Sequence, residues 1–178
     1  VQDTPYPERA YWGDSHVHTG WSADAGMDGA ITTPEDAYRF ALGQEVTSNS
    51  GLKAQLSRPF DWFLVSDHSD GMGTINEIIA GNPEMIGSSD VLKQWYEALN
   101  SGDEERMAAA KSEVVVRQSE GRLPDEVMDP KWMVSTWEKT IEAAEKYYEP
   151  GAFTTFVAYE WTVNAGGGYG CLESGLKG

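Results

Sequence analysis

Asp14-Ser15-His16-Val17-His18 sets two imidazoles two residues apart. In an extended strand alternate side chains share a face, so Asp14, His16 and His18 point one way while Ser15 and Val17 point the other. Two imidazoles about 6 to 7 Å apart on a rigid strand form half of a metal site. A bare His-x-His is as readily two surface histidines on an edge strand. Here the chain holds only three histidines, and the third, His68, stands in Asp67-His68 directly after the most apolar short run, residues 60–66. Glu160 follows another such run, and Asp24 lies in the loop after the histidine pair. Mixed imidazole and carboxylate donors suit Zn, Mn or Fe, and carboxylates bridge two such ions about 3.5 to 4 Å apart. That chemistry is hydrolytic.

Each residue also has a plainer account. Glu160 alone reads as a solvated acid at a strand end. Asp67 can orient an imidazole instead of binding metal, Asp24 can form a turn, and His68 can be a satisfied core histidine. Using every histidine of the chain at predicted strand ends favours the joint reading. Trp12, Trp21, Trp62 and Trp161 flank these positions as core and pocket wall, or as an aromatic rim suited to an apolar or aryl substrate.

Three strands must carry these ligands, at residues 10–18, 60–66 and 153–159. The second is apolar throughout and reads as buried on both faces, as in a parallel sheet with helices outside. Between the first two, residues 19–26 read as a loop, and Thr33-Pro34-Glu35-Asp36 opens a helix with Thr33 as cap. Ala37, Phe40 and Ala41 supply its buried stripe and Gly43 its stop. Residues 44–59 read as irregular. Between the second and third strands the chain reads as mostly helical: a short helix around Ile75, Ile78 and Ile79, others at 91–99 and 103–116, and the clearest at 130–148. In that last helix Asp129 caps, Pro130 opens, and Met133, Trp137, Ile141, Ala144 and Tyr148 form the stripe. Parallel strands open their carboxyl ends onto one crevice, where distant ligands converge. Residues 165–178 read as an irregular tail after a domain at 1–164.

At 178 residues with 40% hydrophobic content and seven tryptophans, the chain can bury a core. Its formal charge of −16 repels phosphate backbones and anionic lipid, which argues against nucleic-acid binding. An anionic substrate stays compatible, because bound cations reverse the potential inside a cleft. No run of about 18 apolar residues is present to span a membrane. The single Cys171 lies far from every histidine, and there is no Gly-rich phosphate loop.

Taken together, Gly13-Asp14-Ser15-His16-Val17-His18-Thr19, Thr33-Pro34-Glu35-Asp36-Ala37, Arg58-Pro59-Phe60-Asp61-Trp62, Ser66-Asp67-His68 and Tyr159-Glu160-Trp161-Thr162 resemble the polymerase-and-histidinol-phosphatase (PHP) superfamily. More narrowly they resemble its often exported, uncharacterised bacterial branch. The resemblance implies a distorted (β/α)7 barrel with two or three metals that hydrolyses phosphoesters or sulfate esters. It carries His16 and His18 onto the first motif's ligands, His68 onto the second's and Glu160 onto a metal-bridging third, with Asp67 beside His68 and Asp24 as a weaker ligand. Relatives continue past the glutamate into an Asn-x-His-Arg-like segment, which this chain replaces with Gly167-Gly168-Tyr169-Gly170.

The expectation is therefore an α/β chain, the amino-terminal part of a PHP-like barrel, with a largely helical insertion between its second and third strands. Asp67 and Glu160 are the expected catalytic residues, with His16, His18, His68, Glu160, Asp67 and Asp24 around Zn, Mn or Fe. The substrate would be a small anionic ester and the location periplasmic or secreted. The alternative is a catalytically silent fragment that binds metal weakly and completes its sheet as an oligomer or with another chain.

Overall fold

The structure is a computed structural model that describes residues 8–87 and 89–162. In chain order the elements are β1 (Gly13–Asp14), α1 (Ala23–Met27), α2 (Pro34–Ala41), β2 (Val46–Thr47), β3 (Lys53–Ala54) and β4 (Trp62–Val65). Then follow α3 (Thr74–Ile79), α4 (Pro83–Ile86), α5 (Asp90–Leu99), α6 (Glu104–Ser119), α7 (Pro130–Tyr147) and β5 (Thr154–Val157). The sheet order is β1-β4-β5, and both pairings are parallel, with Asp14 opposite Phe63 and Phe63 opposite Thr155. The architecture is thus α/β around a parallel three-stranded sheet.

β1 is much shorter than the expected 10–18. The cause is local: the Asp14 carboxylate accepts the His16 amide at 3.0 Å, a side-chain-to-backbone bond two residues long that competes with the ladder. Pairing resumes only at Val17, whose carbonyl accepts the Ser66 amide at 2.8 Å. β4 was expected to be buried on both faces, yet Phe63 and Val65 are buried while Trp62 and Leu64 are half-buried. Helices cover one face of the sheet: Tyr38 and Ala41 of α2 and Ala143 and Ala144 of α7 form a core with Phe63, Val65 and Phe153.

The Thr33 cap is present as expected. Its hydroxyl accepts the Asp36 amide at 3.3 Å and Asp36 accepts the Thr33 amide at 2.9 Å, a reciprocal closure worth about 1 kcal/mol. The buried face of α2 is carried by Pro34, Tyr38 and Ala41, with Ala37 and Phe40 only partly covered. Tyr38 meets Phe63 edge-on at 5.8 Å and stacks on Tyr147 at 5.7 Å. In α7, Asp129 caps and Pro130 opens, but the buried residues are Thr140, Ala143 and Ala144. Small side chains there let the helix approach β5, whose Thr155 hydroxyl donates to the Ala144 carbonyl at 2.8 Å.

Residues expected to be irregular hold the antiparallel hairpin β2–β3, and the expected loop 19–26 contains the start of α1. Gly26 makes that helix invisible to periodicity and is needed there, since a Cβ would stand 2.7 Å from the Gly20 carbonyl. A second core, built on Ile75, Ile78, Met85, Leu92, Trp95 and Leu99, unites α3 to α6 into a helical layer inserted between β4 and β5. Among the described residues no helix is long and apolar enough to cross a membrane. The expected tail, 165–178, lies outside the described residues, as does the expected domain boundary at 164.

Candidate metal centre

β4 and β5 stop as regular strands at Val65 and Val157, but their chains stay in register. The Glu160 amide donates to the Asp67 carbonyl and the Ser69 amide to the Glu160 carbonyl, both at 3.0 Å, which makes His68 and Glu160 a parallel bridge pair. With Val17 held on Ser66, all three strands deliver their ligands at their carboxyl ends, as parallel topology requires.

Nε2 of His16 and Nε2 of His18 each lie 2.8 Å from the same Glu160 oxygen, Oε2. The His16 and His18 rings are 5.1 Å apart, both turned to that one oxygen. On its other side His18 Nδ1 lies 3.0 Å from Asp24 Oδ2, and His68 Nε2 lies 3.5 Å from the same oxygen. His68 Nδ1 faces Thr162 Oγ1 at 2.5 Å and Glu160 Oε1 at 3.8 Å. Two groupings result, His16–His18–Glu160 and His18–Asp24–His68, each with its ligand atoms within 4.8 Å of one another.

A tetrahedral ion with bonds of about 2.0 Å separates its ligand atoms by about 3.3 Å. The His–Glu edges of 2.8 Å in the first grouping need only a few tenths of an ångström of widening, and the 3.0 and 3.5 Å edges of the second bracket that value. The donor set therefore fits divalent metal. Neutral His18 has one lone pair to give and can serve one grouping at a time: when Nε2 binds, Nδ1–H donates to Asp24, and the second grouping keeps Asp24 and His68. His16 is largely exposed, whereas His18 and His68 are mostly covered, so the first grouping opens to solvent.

The electrostatics match a cation-seeking pocket. Burial disfavours the charged His18 ring, but hydrogen bonds and charge from Asp24 and Glu160 outweigh it and raise its pKa above 6.5. Burial would lift the Asp24 carboxyl, yet bonds from the Ser22 hydroxyl, the Ala25 amide and His18 bring it down to about 2. The hydrogen bond from His18 holds Glu160 below the usual carboxylate range.

Five of the six residues expected in the site, His16, His18, Asp24, His68 and Glu160, come together. Asp67 does not join them. Its carboxylate is 1% exposed, with Oδ1 accepting the Thr19 amide at 2.5 Å and Oδ2 the Thr19 hydroxyl at 2.8 Å. Burial pushes its pKa up although the Thr19 bonds pull the other way. Asp67 ties the turn after His18 to the end of β4, beneath the ligands. Sequence reasoning missed Ser22, whose buried hydroxyl donates to Asp24 Oδ1 at 2.5 Å and accepts the His68 amide at 3.1 Å. It also missed Thr162 against His68; neither residue has a local pattern that marks it.

Of the four tryptophans that flank the ligands in sequence, Trp12 and Trp161 are exposed, and Trp21 and Trp62 are half-buried. Trp62 lines a cleft of about 550 Å³ with Arg9, Tyr11, Asp61, Thr154 and Phe156, at the strand ends opposite the histidines. Comparison with curated proteins and with solved structures found no match. Residues 5–169 match a family described as a protein of unknown function, DUF3604, and the chain belongs to that family.

Proposed function

We propose that this chain carries the metal centre of a hydrolase of phosphate or sulfate monoesters, with the PHP superfamily as its wider relation and its three parallel strands as part of a (β/α)7 barrel. One observation carries the reading: all three histidines, with Glu160 and Asp24, meet at the carboxyl ends of three adjacent parallel strands. Zn, Mn or Fe bound there would polarise ester oxygens and acidify water toward a pKa of about 7. The protein's own groups then have separable tasks. Glu160 spans the two groupings, with Oε2 on His16 and His18 and Oε1 toward His68. Asp24 stays ionised at any working pH and fixes the His18 ring. Open His16 leaves the substrate's approach clear. Tyr159 and Trp161, which flank Glu160 in sequence, are exposed with their rings 6.5 Å apart and would offer an aromatic surface to an aryl leaving group.

The test is elemental analysis of the purified protein beside His16→Ala, with hydrolysis of an aryl phosphate and an aryl sulfate before and after chelation. The expected result is at least one metal per chain, lost in the variant, and chelator-sensitive hydrolysis of one ester. Metal at the variant's level in both proteins dismisses the reading.

A second reading, a silent unit that pairs with another chain, is favoured by a different observation. The sheet face away from α2 and α7 leaves Phe156 half exposed, with the Trp62 ring edge-on to it at 6.3 Å. Light scattering that finds a monomer with full hydrolytic activity rules this reading out.

A further inference from the structure

Asp70 follows His68 by two residues and is 14% exposed at its side chain. Its Oδ2 accepts a hydrogen bond from the Gln118 side-chain amide of α6. Its Oδ1 is buried, has no hydrogen-bond partner among the described residues, and lies 3.8 Å from His68 Nδ1. An orphaned carboxylate oxygen in a protein interior is unusual enough to need a reason. The nearest unsettled proton supplies one. His68 Nδ1 and Thr162 Oγ1 are 2.5 Å apart, and a hydroxyl can either donate to that nitrogen or accept from it. If Thr162 donates, Nδ1 is bare, Nε2 carries the proton, and His68 has no lone pair for an ion beside Asp24. If Thr162 accepts, the reverse holds.

We propose that Asp70 is a positioning residue that decides the direction of the Thr162–His68 hydrogen bond. Its Oδ1 can only accept, so its negative charge beside Nδ1 favours the proton there and leaves Nε2 free toward Asp24. Gln118 aims the carboxylate by occupying its other oxygen. The inserted helical layer thereby reaches the centre: α6 sets Asp70, Asp70 sets the His68 tautomer, and the tautomer sets whether His68 can bind metal. The other ionisable groups facing this ring are Asp24 on the Nε2 side, Glu160 on the Nδ1 side and His18, whose ring meets it edge-on at 4.8 Å. Glu160 at 3.8 Å pulls the Nδ1 proton the same way but is committed to His16 and His18 through Oε2. The inference rests on the metal-hydrolase reading for its functional meaning, though its first measurement does not.

The discriminating variant is Asp70→Asn. Gln118 donates, so it holds the new carbonyl oxygen and turns the new amide NH2 toward His68, where it donates to Nδ1 and reverses the tautomer. In metal-free protein at pH 8, imidazole ¹⁵N spectra should show His68 protonated at Nδ1 in the parent and at Nε2 in Asp70→Asn, with Gln118→Ala between them. Titration with Zn²⁺ alone should show roughly 10- to 100-fold weaker binding in Asp70→Asn. Denaturation of the metal-free proteins checks that each variant is folded; if Asp70→Asn is not, Gln118→Ala carries the test alone. A parent protonated at Nε2, or the same tautomer and zinc affinity in parent and folded variant, overturns the proposal. A parent that shows the Nδ1 proton but binds no zinc upholds the role of Asp70 and defeats the hydrolase reading instead.

Discussion

His68 and Glu160 are paired across the sheet by backbone, not merely near one another in space: each belongs to a strand continuation whose amides and carbonyls bond the other. That pairing makes the candidate centre a property of the fold. Moving β5 by one residue would swing Glu160 to the opposite face and break both of its contacts, to His16 and to His18. The backbone therefore fixes where the candidate ligand atoms stand.

Asp67 should matter for stability more than for metal chemistry. Asp67→Ala strips a buried acceptor from the Thr19 amide and hydroxyl, which costs about 1 to 3 kcal/mol by the usual penalty for an unsatisfied buried donor. Asp67→Asn keeps an oxygen for the amide and, because burial already disfavours the charge, should lose much less. Urea denaturation of both variants without metal checks the order. Equal losses would mean that the charge, and not the acceptor, is what Thr19 needs.

His16 should behave in the opposite way. Its side chain is 72% exposed, so His16→Ala should leave metal-free stability within about 0.5 kcal/mol of the parent. The parent should gain about 2.7 kcal/mol at a zinc concentration 100 times its dissociation constant, and the variant far less at that same concentration. Thermal melts with and without zinc read both quantities.

Most of this frame is legible in the residues themselves. The His-x-His, the Asp-His after an apolar run and the acid after a β-branched run all mark strand ends, and Thr33-Pro34 and Asp129-Pro130 announce their helices. What escapes is whatever depends on residues far apart. Tyr38, not Phe40, fills the core because α7 presents Ala143 and Ala144 and leaves room for a ring, a fact about another helix. Ser22, Thr162 and Gln118 reach the site from a loop, a strand end and a helix 48 residues beyond Asp70. Asp67 misleads for the opposite reason: its neighbour in sequence is a candidate ligand, but its own side chain is buried on Thr19.

Gly13 offers a test of the frame that leaves every ligand untouched. A Cβ there would lie 2.1 Å from the Trp62 carbonyl oxygen and 2.3 Å from its ring, so Gly13→Ala must push β1 off β4. Overpacking of this kind costs about 1 to 3 kcal/mol, and the shift displaces His16 and His18 relative to His68 and Glu160. Stability and zinc affinity should fall together, whereas His16→Ala lowers affinity alone. A Gly13→Ala protein with weakened stability but parental zinc binding would show that the first strand does not set the spacing of the site.

The stability of the metal-free protein should depend on pH through Asp24 and His18. Asp24 titrates at about 2 in the fold against 3.8 as its ordinary value, so its contribution is present above pH 3.8 and is lost as pH falls through about 2. His18 is raised above 6.5, so its contribution is complete below pH 6.5 and is lost as pH rises through the folded value. The two groups share one interaction, and the stability difference between parent and Asp24→Asn should be largest from about pH 4 to 6.5 and smaller on either side. Asp67, with its pKa raised, pulls the absolute curve the other way at the acid end, and the difference removes it to first order. Zinc binding must run against this trend: it needs His18 neutral, so affinity should climb through the pH range in which the Asp24–His18 contribution declines. Denaturant midpoints for the pair of proteins, with and without zinc, measure both curves, and a parent–variant difference that is flat from pH 4 to 9 would deny that Asp24 and His18 interact as charges.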